Sequence, residues 1–147
     1  MHDLPRQLSA RTLAALFGGQ TRLVDRLAAC EDPLGRARDL VRTLPEDELV
    51  EALNAHPRIG ASQLPPLSAA EQGTDDDPAV LAELDRLNAL YEAKFGFRFL
   101  VFVNRRPRRV ILEVLRACLQ RTREEELQRA GDDLVAIAVD RYRRGVR

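Results

Sequence analysis

This chain has very few of the residues that carry chemistry in most enzymes. Its 147 residues include two histidines, two cysteines and no tryptophan. With His2 near the N-terminus, the chain body holds one histidine, so Cys and His cannot assemble a metal-ligand spacing. The isolated cysteines Cys30 and Cys118 are typical of a reducing compartment, and we expect a cytoplasmic protein without a metal site.

Excess charge and long apolar runs are also absent. Lysine plus arginine number 23, aspartate plus glutamate number 23, and Lys94 is the single lysine. This neutral balance disfavours a protein that binds nucleic acid by bulk electrostatics. No apolar run approaches the ~18–20 residues of a membrane span, so we expect no membrane partner. The sequence also lacks a glycine-rich phosphate loop and a dinucleotide fingerprint.

Apolar residues recur with a helical period along most of the chain. The pattern predicts an all-α fold, one compact domain over residues 1–147 with six to eight helices. Residues 1–8 are expected to form a loose N-terminal arm, and a helix after Arg109 is expected to bury a broad stripe that includes Val110. The exception is Phe-Arg-Phe-Leu-Val-Phe-Val at 97–103, which is β-like but has no partner strand. We predict a buried extended segment whose backbone groups must find partners, for which an amide-rich ligand would suit.

His56 is the candidate proton donor or acceptor, because imidazole titrates near neutral pH. It lies where a helical pattern ends, before a loop punctuated by proline and glycine. Pro57 disfavours the α conformation at His56, and Gly60 permits a sharp turn. The alternative is a cationic side chain that only stabilises a helix C-terminus.

Two charged residues accompany this histidine as candidates. Glu71 follows Ser68 in an S-x-x-E pattern, which a capping box alone would explain. Arg141 continues the apolar stripe of the last helix, where an arginine needs an anionic or carbonyl partner unless it reaches solvent at the helix end. A proton donor, a carboxylate and a cation together suit a small, polar, anionic substrate.

Four motifs carry a resemblance to a known family. They occur in order over about residues 12 to 143: Asn54-Ala55-His56-Pro57-Arg58-Ile59-Gly60, Ser68-x-x-Glu71-Gln72, Leu87-Asn88-x-x-Tyr91-x-x-Lys94-Phe95-Gly96-Phe97 and Ile137-Ala138-x-x-Arg141. In these motifs the chain resembles the decarboxylases of 2-oxo-4-hydroxy-4-carboxy-5-ureidoimidazoline (OHCU). The resemblance implies an all-helical carboxy-lyase of urate degradation that forms (S)-allantoin and CO2. It also implies the absence of a cofactor, a homodimer, and a functional link to urate oxidase and hydroxyisourate hydrolase.

The resemblance also assigns roles to individual residues. It implies that His56 is the catalytic proton donor, that Pro57 lines the site and that Arg141 is the functional arginine near the C-terminus. A substrate-holding stretch, with Glu71 essential, would comprise Ser68, Ala69, Ala70, Glu71 and Gln72. The ring and ureido amides would bind the backbone of Phe99, Leu100, Val101, Phe102 and Val103.

Some departures from the family leave alternatives open. Arg98 stands where many members have proline, the 61–67 loop is short, and Cys118 and Arg121 replace an arginine and an asparagine. The same scaffold could therefore act on, or only bind, another ureido or imidazoline acid. The arginines at 105–109 and 141–147 leave a helical nucleic-acid-binding module as a lesser alternative, and a structural helical adaptor is a third.

Overall fold

The computed structural model of the chain describes residues 4–59 and 77–146. These residues form seven helices: α1 (Ala10–Phe17), α2 (Arg22–Ala28), α3 (Pro33–Thr43), α4 (Glu46–Asn54), α5 (Pro78–Phe95), α6 (Arg108–Cys118) and α7 (Arg123–Arg143). The same residues contain no strand, and the predicted all-α class is confirmed. Within the described ranges, no helix has the length and apolar character needed to cross a membrane.

Two compact units make up the described chain. The first comprises residues 4–56 with 128–146, and the second comprises 57–59 with 77–127. The single domain expected over residues 1–147 stays a prediction. Of the expected loose arm, residues 4–8 are described and lie outside any helix, with the Arg6 carbonyl accepting a 2.6 Å hydrogen bond from the Asp32 N–H.

Small polar residues and a glycine set the helix ends of the first unit. Ser9 begins α1, because its hydroxyl accepts a 3.1 Å hydrogen bond from the Thr12 N–H. Gly18 ends that helix with φ at 84°, a left-handed conformation that glycine adopts at no steric cost. Thr21 caps α2 by accepting from the Val24 N–H at 3.4 Å. The chain therefore reverses between α1 and α2, with Gly18 at the bend.

Apolar faces of α1 to α4 and the later part of α7 form the core of the first unit. Helix α2 packs against α1, α3 and α4. Each large apolar side chain that leaves water contributes about 1.5–3 kcal/mol. The completely buried members are Leu13, Leu16, Phe17, Leu23, Val24, Leu27, Ala37, Ala52, Leu53, Ala130, Leu134 and Ala138.

Several ion pairs join α2 to α4, and one of them involves a buried acid. Arg26 binds Glu48 through two hydrogen bonds, Nε to Oε1 at 2.6 Å and Nη2 to Oε2 at 2.9 Å. These bonds favour the carboxylate and hold the pKa of Glu48 below its usual range. The pair thereby fixes α4, the helix that leads directly to His56.

In the second unit, capping interactions define both ends of α5. The Asp77 carboxylate accepts from the Ala79 N–H at 3.0 Å, and Pro78 occupies the first turn. Gly96 ends the helix with φ at 82°, and its N–H donates to the Glu92 carbonyl at 2.8 Å. Helix α5 packs against α6.

Residues 97–103 follow α5 as a non-helical segment, as predicted. Arg98 and Phe102 are half-buried, and the buried members are Phe97, Phe99, Leu100, Val101 and Val103. The Tyr91 ring meets Phe97 edge-on with centroids 5.7 Å apart and Phe99 with centroids 5.1 Å apart. Aromatic packing against α5 thus holds the first half of this segment in place.

A capping box begins α7. The Thr122 N–H donates to Glu125 Oε1 at 3.0 Å, and the Glu125 N–H donates to the Thr122 hydroxyl at 3.1 Å. The hydrogen bond from the Thr122 backbone, with a smaller contribution from its hydroxyl, lowers the pKa of Glu125. Sequence reasoning overlooked this T-x-x-E pattern.

Candidate functional site

His56 lies just beyond α4, as the sequence predicts. The helix ends at Asn54, and the His56 N–H donates to the Leu53 carbonyl at 3.3 Å in a last, tighter turn. Only 5% of His56 is exposed. Pro57 follows and ends any continuation of the helix. The imidazole is therefore held inside the protein at a helix end.

Gly18 is in direct contact with this imidazole. A Cβ atom added to Gly18 would lie 3.0 Å from His56 Cε1, 3.0 Å from Nε2 and 3.1 Å from Cδ2. The ring edge that carries Nε2 therefore faces the glycine backbone. The next residue, Gly19, lies near Ala55, with 3.6 Å from its would-be Cβ to the alanine Cβ. The bend after α1 thus packs against His56 and against Ala55, the residue before it.

Arg141 approaches the same end of α1. It is 3% exposed, and its Nη1 donates to the carbonyls of Ala15 and Leu16 at 3.3 Å each. The last carbonyls of a helix lack partners within the helix, and a cation there also complements the helix dipole. The structure thus places two predicted site residues, His56 and Arg141, at one helix terminus. The carbonyl partner that the sequence demanded for a buried arginine is found in α1.

The turn after His56 is attached to α5. The Asn88 Nδ2 donates to the Ile59 carbonyl at 3.0 Å, and Asn88 is buried. Its Oδ1 accepts no hydrogen bond from the residues that the structure describes. The chain that carries Pro57 is thereby fixed within the second unit.

Glu92 gives this turn a second attachment. Its carboxylate accepts two hydrogen bonds from the Arg58 guanidinium, and Oε1 also lies 3.9 Å from Arg98 Nε. One carboxylate of α5 thus links the turn at 57–59 to the start of the 97–103 segment. Arg98, a departure from the family pattern, therefore shares this carboxylate with Arg58.

Part of the 97–103 backbone is engaged by a neighbouring arginine. Arg106 donates from Nη2 to the Phe102 carbonyl at 2.6 Å and from Nε to the Val103 carbonyl at 3.0 Å. The Arg106 N–H also donates to Val103 at 3.0 Å. The predicted binding of ligand amides by residues 99–103 stays a prediction, and Arg106 occupies carbonyls at its C-terminal end.

The other predicted binding stretch lies outside the described residues. It comprises Ser68, Ala69, Ala70, Glu71 and Gln72, so the expected convergence of Glu71 with His56 and Arg141 is not described. Within residues 4–59 and 77–146, no group of three or more His, Cys, Asp or Glu side chains could hold a metal ion.

Sequence reasoning missed one buried acid of the second unit. Glu126 is completely buried, and it accepts from the Tyr91 hydroxyl at 2.7 Å and from Arg121 Nε at 2.9 Å. A signal was present, because Glu126 lies four residues before Ala130 on the buried stripe of α7. The argument that singled out Arg141 at the other end of that stripe applies equally to Glu126.

Known proteins match this chain through a family model and through solved structures. A family model described as OHCU decarboxylase matches residues 3–143. Among curated proteins, none matches the chain significantly.

Two solved structures have a similar fold. One is a crystal structure of OHCU decarboxylase in the presence of (S)-allantoin, with a TM-score of 0.71 and 24% identity over 83% of this chain and 88% of that one. Another is a crystal structure of (S)-allantoin synthase, with a TM-score of 0.65 and 24% identity over 90% of this chain. The chain spans 47% of that synthase, about half its length.

Proposed function

Because residues 3–143 match its family model, this chain belongs to the OHCU decarboxylase family, and we propose that it releases CO2 from OHCU to form (S)-allantoin. The match confirms the family resemblance and the enzyme class that came with it, a carboxy-lyase of urate degradation. The observation that carries the proposed mechanism is the position of His56, buried at a helix end against Gly18.

The substrate itself explains why few protein groups suffice. Its carboxylate is attached to a ring carbon next to a C=N bond. When CO2 leaves, the electron pair of the broken C–C bond forms a new C=C bond, and the C=N pair moves to nitrogen, which takes up a proton. The resulting enol becomes a carbonyl when its hydroxyl proton leaves and a proton adds to the neighbouring carbon. This internal electron sink supports our prediction that no cofactor is needed.

His56 is the group that we propose delivers the proton. Addition to one face of the ring sets the S configuration at the new stereocentre, so the donor must be fixed in position. A buried imidazole between the end of α4 and the bend after α1 has that property. A well-placed acid–base group contributes about 10²–10⁴-fold to the rate.

The remaining predicted residues take supporting roles in this proposal. Pro57 would line the site, Glu71 would accept from ring or ureido N–H groups within the stretch 68–72, and the backbone of 99–103 would bind substrate amides. For Arg141, the carbonyl contacts at α1 support a role in holding the helix end next to His56. A direct contact between Arg141 and the substrate stays a prediction.

The cellular setting is proposed on family grounds. We expect a cytoplasmic homodimer that receives its substrate from the combined action of urate oxidase and hydroxyisourate hydrolase. Neither Cys30 nor Cys118 forms a disulfide in the structure.

A changed substrate is the alternative that Arg98 raised. In the structure Arg98 is half-buried and lies 3.9 Å from Glu92, an acid that also binds Arg58. This pairing supports a structural role for the Arg98 charge, and the choice between OHCU and another ureido acid stays a prediction.

A coupled assay tests the proposal. Fresh OHCU is generated from urate with urate oxidase and hydroxyisourate hydrolase, and its decay is followed by circular dichroism with and without this protein. The uncatalysed control is essential, because OHCU decays unaided to racemic allantoin. We expect faster decay with accumulation of (S)-allantoin, and a loss of about 10²–10⁴-fold in His56→Gln. Decay at the spontaneous rate in the presence of folded wild-type protein would refute the proposed activity.

A further inference from the structure

Gly18 and His56 meet more closely than a side chain at position 18 would allow. A Cβ there would lie 3.0 Å from two atoms of the imidazole and 3.1 Å from a third. Carbon atoms pack favourably at about 3.5–4.0 Å, so even an alanine would press on the ring. Because the contacted edge carries Nε2, the pressure would act on a nitrogen of the proposed proton donor.

The backbone of Gly18 imposes a second requirement. Its φ of 84° lies in the left-handed region, which L side chains rarely adopt. This conformation ends α1 and turns the Gly18 backbone toward the imidazole. The helix end is in turn fixed by Arg141, whose Nη1 bonds to the carbonyls of Ala15 and Leu16 at 3.3 Å.

We propose that Gly18 is a positioning residue for His56: the bare, left-handed glycine forms the seat of the imidazole, and Arg141 stiffens the helix end that presents it. The catalytic part of this inference rests on the proposed function, because the seat matters for turnover only if His56 moves the proton. A Cβ at position 18 would require the ring to move by a few tenths of an ångström, and a displacement of about 1 Å in a reacting group can lower the rate roughly 10²-fold. The seat therefore has a measurable consequence.

Two other glycines make it possible to distinguish the effect of the imidazole contact from the effect of a positive φ alone. Gly96 ends α5 with φ at 82°, and a Cβ there would meet nothing within 4 Å. Gly145 has φ at 92° and an equally open surrounding. Gly96→Ala thus carries a similar conformational cost to Gly18→Ala without the imidazole contact, and Gly145→Ala is a second control at a positive φ.

The experiment combines NMR with kinetics on the full chain. In ¹⁵N-labelled wild-type protein, a nuclear Overhauser contact between the Gly18 Hα protons and the His56 ring protons tests the seat without any substitution. His2 is the only other histidine, so His56→Gln assigns the ring signals. Gly18→Ala and Gly18→Asn are then compared with the two control glycines, asparagine being the residue that best tolerates a positive φ apart from glycine.

We expect the Overhauser contact in the wild type, shifted His56 ring signals in both Gly18 variants, and unshifted signals in Gly96→Ala and Gly145→Ala. Turnover of OHCU should fall roughly 3- to 10-fold in kcat with KM nearly constant for the Gly18 variants, and should be retained in Gly145→Ala. Absence of the Overhauser contact, or unshifted ring signals in folded Gly18 variants, would refute the proposal that Gly18 positions His56. Shifted ring signals in a protein whose wild type does not turn over OHCU would preserve the seat and reject the proposed function.

Discussion

The Tyr91 hydroxyl donates a 2.7 Å hydrogen bond to Glu126 Oε1, and both side chains are completely buried. The second carboxylate oxygen accepts from Arg121 at 2.9 Å. An ionised carboxylate removed from water costs several kcal/mol unless such partners compensate it. Since the Tyr91 ring also packs on Phe97 and Phe99, this acid at the start of α7 supports the segment proposed to bind substrate amides.

Tyr91→Phe should lower the free energy of unfolding by about 1.5–3 kcal/mol, because it removes a hydrogen bond to a buried charged group and keeps the ring. Urea denaturation of this variant, of Glu126→Leu and of the double variant forms a cycle that isolates the pair, because leucine has no acceptor for the Tyr91 hydroxyl. We expect the two losses to be strongly non-additive. If they add within about 0.5 kcal/mol, the two side chains are not coupled.

Asn88→Ala should destabilise the second unit and impair turnover. It leaves the Ile59 carbonyl, on a residue that is 6% exposed, without the Asn88 donor, at a cost of about 1–3 kcal/mol. The turn at 57–59 would loosen directly after His56, so kcat should fall as well. Leu90→Ala is the matched control, since Leu90 lies on the same helix and is 46% exposed. Equal denaturation midpoints for the two variants would contradict the role given to Asn88.

Helix ends were predictable from sequence because they depend on neighbouring residues. Thr21 and Asp77 are residue types that favour helix N-termini and Gly96 is one that favours a C-terminus, and each lies at such an end in the structure. The buried 97–103 segment was predictable from its composition, which is apolar except for Arg98. Capping residues and apolar composition were therefore sufficient to predict most of the helices and the buried segment between them.

Contacts between distant parts of the chain were not predictable in the same way. Periodicity shows which face of a helix is buried but not what it meets, so neither the Gly18–His56 contact nor the Tyr91–Glu126 bond could be read from it. The buried stripe of α6 was also misplaced by about one residue. Val110, expected inside, is 41% exposed, because the stripe passes through Leu112 instead.

Acid should remove the stabilising contribution of Glu48. Its hydrogen bonds from Arg26 lower the pKa in the folded protein below the ordinary value of 4.5. The contribution is therefore complete above the pKa of the unfolded chain and is lost as pH falls through the folded-state pKa. Glu48→Gln should lower Tm at pH 7, and the difference from wild type should shrink below about pH 4.5.

Thermal unfolding of both proteins between pH 7 and pH 3 checks this expectation. Asp39→Asn serves as the control, because Asp39 is an exposed acid on α3. A Tm difference between Glu48→Gln and wild type that stays constant down to pH 3 would show that the Arg26 pair does not control this titration.

Thr122→Ala should cost about 1 kcal/mol of unfolding free energy, as expected when a helix loses its N-cap hydroxyl. The hydroxyl accepts from the Glu125 N–H at 3.1 Å, and no apolar packing needs to change. Thr43→Ala is the control, because that hydroxyl caps no N–H group and donates instead to the Asp39 and Leu40 carbonyls, at 3.5 and 3.1 Å, near the end of α3. If chemical denaturation gives equal losses of unfolding free energy for the two variants, the capping box is not the cause of the loss.

Arg141→Met distinguishes a positioning role from a direct substrate contact. If Arg141 holds the end of α1, the variant leaves the carbonyls of Ala15 and Leu16 without this donor, so unfolding free energy should fall by about 1–3 kcal/mol and kcat should fall with it. The control is Arg143→Met, at an exposed position on the same helix. Denaturation and OHCU kinetics measure both effects. Unchanged stability with a large rise in KM would instead identify Arg141 as a ligand of the substrate carboxylate, and the stiffening of the His56 seat would then have to come from elsewhere in α1.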